Sequence, residues 1–306
     1  MLAAAALPTP LVSLGELAPG VELRLKRDDL AHPTVPGNKW RKLAPNLDLA
    51  LAEGRTGLLT FGGAYSTHLR ATAAAAAALG LASIGVVRGE ELAAAPRNWS
   101  LRAAEAAGME LRFVTRSRYR ALAGGGVDSA EDFPEDISED LPEQADGRWL
   151  VLPEGGSNAA AVRGAAAVPA EIPGLGAGDV LCCAVGTGGT LAGIAAGLPE
   201  GARALGVAVL RGEGYLEREI AELHQAAYGR QFGNWRVHHG HHGGGYGKVG
   251  VELASFAEEF ERRHGLAIEL RYVAKTLLAV HELAAAGEFA AGTRVTVVVT
   301  GLPDQS

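Results

Sequence analysis

The sequence predicts an α/β protein built as two open-sheet lobes. Three observations carry that expectation. Short β-rich runs alternate with Ala- and Leu-rich stretches of helix length, the rhythm of a parallel sheet joined by crossover helices. The 306 residues exceed the roughly 250–300 at which one core usually stops growing. Hydrophobic residues make up 48% and charged residues 21%, with 42 glycines, which is a globular composition with many tight turns.

The elements follow in order. The opening "MLAAAALPTPLVSL" is apolar, but it lacks a basic leader and is broken by Pro8 and Pro10, so no export signal is expected. "GLLTFGG", "ASIGVVRG" and "ELRFVTR" read as strands, separated by the helical stretches "THLRATAAAAAALG" and "WSLRAAEAAG". The alanine tract Ala73 to Ala78 reads as a helix packed closely on a sheet, because alanine is the best helix former and keeps the helix surface low. "GGGVDSAEDFPEDISEDLPEQADG" is acidic and aperiodic, carries Pro134 and Pro142, and reads as a solvated surface excursion. "RWLVLPEGG" then closes one strand series, and a lobe boundary is expected just after it. "DVLCCAVGTGG", "RALGVAVL" and "TRVTVVVTGL" form the second series.

Composition also excludes functions. A formal net charge of -7 argues against non-specific nucleic-acid binding, which needs a basic face to displace counterions. No uninterrupted apolar run approaches the roughly 20 residues of a membrane span. Cys182 and Cys183 are adjacent, so in a strand they point to opposite faces and cannot form an ordinary disulfide. A reducing cytoplasm is the expected compartment.

The most informative glycine cluster is "CCAVGTGGTLAGIAAG". A β-rich run ends in Gly186, Thr187, Gly188, Gly189 and Thr190, and a helical pattern follows. Small residues let the backbone curl so that amide N–H groups converge, and the helix start adds positive potential. That suits a phosphate, although an ordinary strand-to-helix turn would look similar. The cluster lacks the Gly-Lys-Ser/Thr of a P-loop and the G-x-G-x-x-G spacing of dinucleotide folds.

A phosphate seat draws attention to "PGNKWRKL", where Lys39 stands behind Gly37 and Asn38 at a helix start. A lone lysine is ordinarily a solvated surface residue. Its context is wider, however. "ELRLKRDDLAHPTVPGNKWRKL", "TFGGAYSTHLRATAAAA", "VVRGEE", "LPEGGSN", "GTGGTLAG", "GGGYGK", "LRYVAK" and "VVVTGLP" occur in this order along nearly the whole chain. With these landmarks the sequence resembles the fold type II pyridoxal-phosphate enzymes, which are tryptophan synthase β-like, and in particular the 1-aminocyclopropane-1-carboxylate deaminase and D-cysteine desulfhydrase family.

The resemblance implies two lobes with pyridoxal 5'-phosphate in the cleft between them, residues 1–45 plus 154–306 forming the larger lobe and 46–153 the smaller. It implies that Lys39 carries the cofactor as a Schiff base, that Asn38 lies beside the phenolic oxygen, and that Lys42 adds a charge to the phosphate held by residues 186–190. Ser66 matches a serine facing the cofactor, and it also suits a helix N-cap. Tyr246 and Tyr272 match two tyrosines that flank the reacting carbon, although each would also read as an ordinary buried tyrosine. Thr300 matches a threonine that offers its hydroxyl to the pyridine nitrogen. Trp40, Arg41 and His68 read as structural.

The chain departs from the family pattern at three positions. Tyr65 and Thr67 stand where members commonly have glutamine and asparagine, and Val273 in "YVAK" replaces the glutamate of "YEGK" that pairs with the pyridine nitrogen. A neutral ring serves β-elimination, where a leaving group drains the electrons, and suits opening of an unactivated cyclopropane less well. The expectation is therefore a D-cysteine desulfhydrase-like lyase on a small amino acid, giving a 2-oxo acid and ammonia. The alternatives are 1-aminocyclopropane-1-carboxylate deamination or a racemase or dehydratase of small hydroxy-amino acids. Outside this group stand a cofactor-binding module without turnover and a nucleotide-dependent oxidoreductase. A homodimer is implied by the resemblance alone. The histidine run His238 to His242 reads as a cofactor-side loop rather than a metal site, because adjacent histidines on a glycine-rich loop have no fixed geometry. No metal is expected.

Overall fold

A computed structural model describes residues 5–35, 37–124, 148–245 and 247–303. The acidic stretch 125–147 and Tyr246 lie outside the described residues. The chain opens with β1 (Leu11–Ala18) and β2 (Val21–Lys26), continues through α1 (Lys39–Ala52), β3 (Gly57–Gly62), α2 (Thr67–Leu79), β4 (Ala82–Arg88), α3 (Trp99–Ala106), β5 (Glu110–Val114) and α4 (Arg116–Ala123), and reaches β6 (Trp149–Leu152). It then runs through α5 (Ala159–Ala165), β7 (Val180–Val185), α6 (Gly189–Gly197), β8 (Arg203–Ala208), α7 (Tyr215–Tyr228), β9 (Trp235–His238), α8 (Val251–His264), α9 (Val273–Ala285) and β10 (Arg294–Val298).

Two sheets result. One has four strands in the order β5-β4-β3-β6, all parallel. The other has six in the order β1-β2-β10-β7-β8-β9. There β10 runs parallel to both β2 and β7, while β1 and β2 pair antiparallel. The hairpin adds one antiparallel pair to sheets that are otherwise parallel, as the alternating rhythm implied. Edge strand β1 is mostly exposed and carries no continuous apolar run, so nothing in "LVSLGELA" set it apart from a loop. Strand β9 is equally short of signal, with none of its four residues fully buried. By contrast every residue of β3 is buried, as its unbroken apolar pattern required.

Helices cover both faces of the six-stranded sheet, and adjacent cysteines sit on opposite sides of it. Cys182 packs with Leu25, Leu277 and Val297 under α8 and α9, whereas Cys183 packs with Val162, Leu191 and Ile194 under α5 and α6. Burial pushes both thiols up, Cys183 to about 12, so both are inert core groups. Helix α6 lies on α5 almost backbone to backbone. A side chain at Gly193 would meet the Val162 carbonyl and the Ala165 methyl, both at 2.5 Å. The alanines of α2 serve the smaller sheet in the same way, with Ala71, Ala73, Ala75 and Ala76 fully buried. Helix α1 runs unbroken through residues 45 and 46 and buries Leu43, Leu47 and Ala50 with Leu58 and Leu152 of the smaller sheet. The start of α1 is thereby fixed between the two sheets.

Candidate active site

Three chain segments converge on the first turn of α1. Gly37 has φ +65°, and a side chain there would collide with the Thr300 carbonyl oxygen, so glycine lets the end of β10 pass close. The Asn38 N–H donates to that same carbonyl at 3.3 Å. From this turn the Asn38 side-chain amide donates to Thr190 Oγ1 at 2.7 Å, and Lys39 Nζ donates to Asn38 Oδ1 at 3.1 Å. One residue thus links the lysine to the glycine-rich loop.

That loop follows β7 directly. Gly188 adopts φ +80° as the N-cap of α6, a conformation that disfavours a side chain. At Gly189 an added Cβ would lie 2.6 Å from Ser157 Oγ and 3.1 Å from Lys42 Nζ. Lys42 donates to Ser157 Oγ at 2.7 Å and to the Gly155 carbonyl, and Ser157 Oγ shares a 2.6 Å hydrogen bond with Thr187 Oγ1. The result is a cradle of amides and hydroxyls with an ammonium at its base.

The cradle opens into a cleft of about 430 Å³. Asn38, Lys39 and Lys42 enter from α1, and Gly186, Thr187, Gly188, Gly189 and Thr190 form the loop side. Ser66, Thr67 and His68 line it from the start of α2, and Tyr272 and Thr300 from the other sheet. Ser66 is the N-cap of α2, its hydroxyl accepting from the Leu69 N–H at 3.3 Å. Of the residues singled out in the sequence, only Tyr246 cannot be located, since it lies outside the described residues.

The cleft sets two lysines against a nearby carboxylate, Glu269. Burial pulls the Lys39 amine down from 10.5 to about 8, with a nearby Glu269 partly opposing it. Burial, then repulsion from Lys39, holds Lys42 well below the ordinary lysine range. His68 is driven far down by burial and by both lysines, so its ring is neutral. Its Nε2 bonds to Thr60 Oγ1 at 2.8 Å, and that hydroxyl donates to the Leu152 carbonyl, so Nε2 carries the ring proton. The bond supports a structural role for His68.

This arrangement fits a compact phosphate ester bearing an aldehyde. The loop takes the phosphate, Lys42 supplies charge, and a lysine with a depressed amine lies within the same cleft. Arg41 stands apart. It turns away from the cleft and pairs with Asp28 and Glu171, each at 2.7 Å. Trp40 stacks on His32 with ring centroids 4.3 Å apart.

Several contributors escaped the sequence. Glu269 is 3% exposed, lines the cleft, and accepts from the backbone N–H groups of Arg271, Tyr272 and Val273. It stands four residues before the start of α9 and carried no assigned role in the sequence. Ser157 lay inside the landmark "LPEGGSN" without an assigned role. Lys275, the last residue of "YVAK", donates to the His242 and Gly245 carbonyls and ties the glycine-rich loop to α9. Val273 itself is buried in the apolar cluster with Leu277 and Val297, facing the core. Tyr65 carries the Arg271 guanidinium 4.7 Å above its ring. In the histidine run, His238 bonds His241, which bonds Glu282, and His239 bonds Glu217. Among the described residues no group of three or more His, Cys, Asp or Glu is arranged to hold a metal ion.

Comparison with known proteins bears on this site. The family described as "Pyridoxal-phosphate dependent enzyme" matches residues 2–301. A protein of Pyrococcus horikoshii whose name carries "1-aminocyclopropane-1-carboxylate deaminase" is 30% identical over 303 residues, 92% of this chain and 85% of its own length. A D-cysteine desulfhydrase of Yersinia pestis is 32% identical over 237 residues, 71% of this chain and 66% of its own. The crystal structure of an ACC deaminase homologue superposes with a TM-score of 0.80 at 27% identity, covering 98% of this chain and 91% of the other.

Proposed function

The chain belongs to the pyridoxal-phosphate dependent enzymes, and from that premise we propose that it is a D-cysteine desulfhydrase-like lyase that converts a small amino acid to a 2-oxo acid and ammonia. The observation that carries this is Lys39: its amine sits within hydrogen-bond reach of Asn38, in the same cleft as the phosphate cradle, with its basicity lowered to about 8. A lysine in that state is a nucleophile near neutral pH. Bound there, pyridoxal phosphate supplies an electron sink for carbanion character at the α-carbon.

The protein's own groups then divide the work. The 186–190 loop and Lys42 hold the phosphate end. Asn38 orients Lys39, which removes the α-proton once its amine is free. Ser66 and the amides at the start of α2 receive the substrate carboxylate, where the helix adds positive potential. Tyr272, with Tyr246, positions substrate or passes protons, and Thr300 offers its hydroxyl to the cofactor ring. Residues 46–153 act as the smaller lobe, which lets the α2 wall approach the rest of the cleft. The protein works as a homodimer in the cytoplasm. Among the described residues, no helix is long and apolar enough to cross a membrane.

The test is the visible spectrum of purified protein. A band near about 410–420 nm that vanishes in Lys39→Ala is expected. D-cysteine should perturb it and release sulfide. Ammonia released only from 1-aminocyclopropane-1-carboxylate would move the assignment to the deaminase, and a band that survives Lys39→Ala would defeat the lysine assignment.

A further inference from the structure

Position 273 carries a valine packed in the apolar core, yet the cleft holds a carboxylate four residues earlier, Glu269. We propose that Glu269 serves as the counter-charge that keeps the pyridine nitrogen of the bound cofactor protonated. The inference rests on the pyridoxal-phosphate assignment and adds to it a residue and a consequence for substrate class.

The geometry supports it in three ways. Glu269 is 3% exposed and lines the cleft, so its charge acts in a medium that screens it poorly. Its Cγ lies 4.0 Å from where a Gly301 Cβ would stand, which puts it beside Thr300 in the lining of the cleft. With the phosphate on the 186–190 loop and the aldehyde carbon at Lys39, a ring nitrogen directed toward Thr300 would meet this carboxylate. Finally, three backbone N–H groups donate to the Glu269 carboxylate, at 2.6, 2.7 and 3.2 Å. Those donors fix the carboxylate against the cleft wall. The ring nitrogen would draw its proton from water when the cofactor loads.

A protonated ring is the stronger electron sink. Glu269 therefore gives this chain the capacity for ring opening, and both 1-aminocyclopropane-1-carboxylate and D-cysteine fall within its substrate class.

The experiment reconstitutes the protein with 15N-labelled pyridoxal phosphate and reads the ring nitrogen by NMR in the resting holoenzyme. Wild type is expected to give the upfield resonance of a pyridinium, and Glu269→Gln the downfield resonance of a neutral ring. Should Glu269→Gln fail to fold, Glu269→Asp replaces it: a ring resonance moved toward the neutral position supports Glu269, and one unchanged from wild type overturns the proposal. A neutral ring in wild type, or a pyridinium that persists in Glu269→Gln, also overturns it. The Lys39-dependent absorption band is read on the same samples. Its absence would defeat the cofactor assignment, whereas its presence with a neutral ring would defeat only the role of Glu269.

Discussion

The first turn of α1 carries three cations within four positions, and their surroundings differ completely. Arg41 is 4% exposed and meets Asp28 and Glu171, and its guanidinium is raised above its ordinary range by these partners despite its burial. Among the described residues Lys39 and Lys42 have no carboxylate in hydrogen-bond contact, and burial lowers both. A buried charge that is paired stabilises a fold by having its partners in place, and one left unpaired costs the fold stability and marks a site built for a ligand. Arg41 belongs to the first kind and its two neighbours to the second.

The contrast is breakable by substitution. Lys39→Ala should lower turnover at least about a thousandfold, with no loss of thermal stability in the cofactor-free protein, measured by steady-state kinetics and calorimetry. A loss of stability instead would mean that Lys39 is structural. Arg41→Ala should do the reverse. It strips Asp28 of its cation and leaves Glu171 with Lys26 alone, which donates to it at 2.7 Å, and should cost about 3–5 kcal/mol by denaturant melting. A cost below about 1 kcal/mol would show the network to be dispensable.

Lys42→Met sharpens the comparison within the cleft. Removing one charged donor should weaken cofactor binding about 10-fold to 100-fold in equilibrium titration, while the protein without cofactor is no less stable. Undiminished binding would take Lys42 out of the cradle.

Smaller effects come from pH, and they run in opposite senses. The partners of Glu171 hold its carboxyl down to about 2 from 4.5, so its contribution is fully present above about 4.5 and fades as pH falls toward about 2. Lys39 has its amine lowered from 10.5 to about 8, so the unfolded chain binds the proton more tightly than the folded one. Stability of the cofactor-free protein should rise modestly as pH climbs from about 8 to 10.5, and the rate of cofactor attachment should climb with pH and level off above about 8. Stopped-flow absorbance would follow the second; an attachment rate flat between pH 6 and about 9 would contradict the lowered amine.

What could be read in advance was local in the chain. The 186–190 strand-to-helix turn was legible because its shape resides in backbone curvature, which five consecutive small residues specify by themselves. Lys39 was singled out only through the resemblance carried by eight landmarks along the chain, whereas Ser66 was legible as a helix cap from its own position. The parallel core strands announced themselves by unbroken apolar runs, which burial on both faces demands.

The tertiary structure decided what depends on distance across the chain. Arg41 and Lys42 are adjacent and equally cationic, yet Glu171 lies 130 residues from the first and Ser157 115 from the second. Only the turn of α1 settles which of them meets an acid and which meets the loop. Glu269 had no assigned role in the sequence, and it becomes a cleft residue because β10 runs parallel to β2 and β7 and carries Thr300 and Gly301 past it. The hairpin of β1 and β2 was silent for a related reason, since an edge strand paired on one side leaves little pattern. Backbone shape is written in neighbouring residues, whereas the electrostatic environment of a buried group is set by side chains that only the completed topology brings within reach.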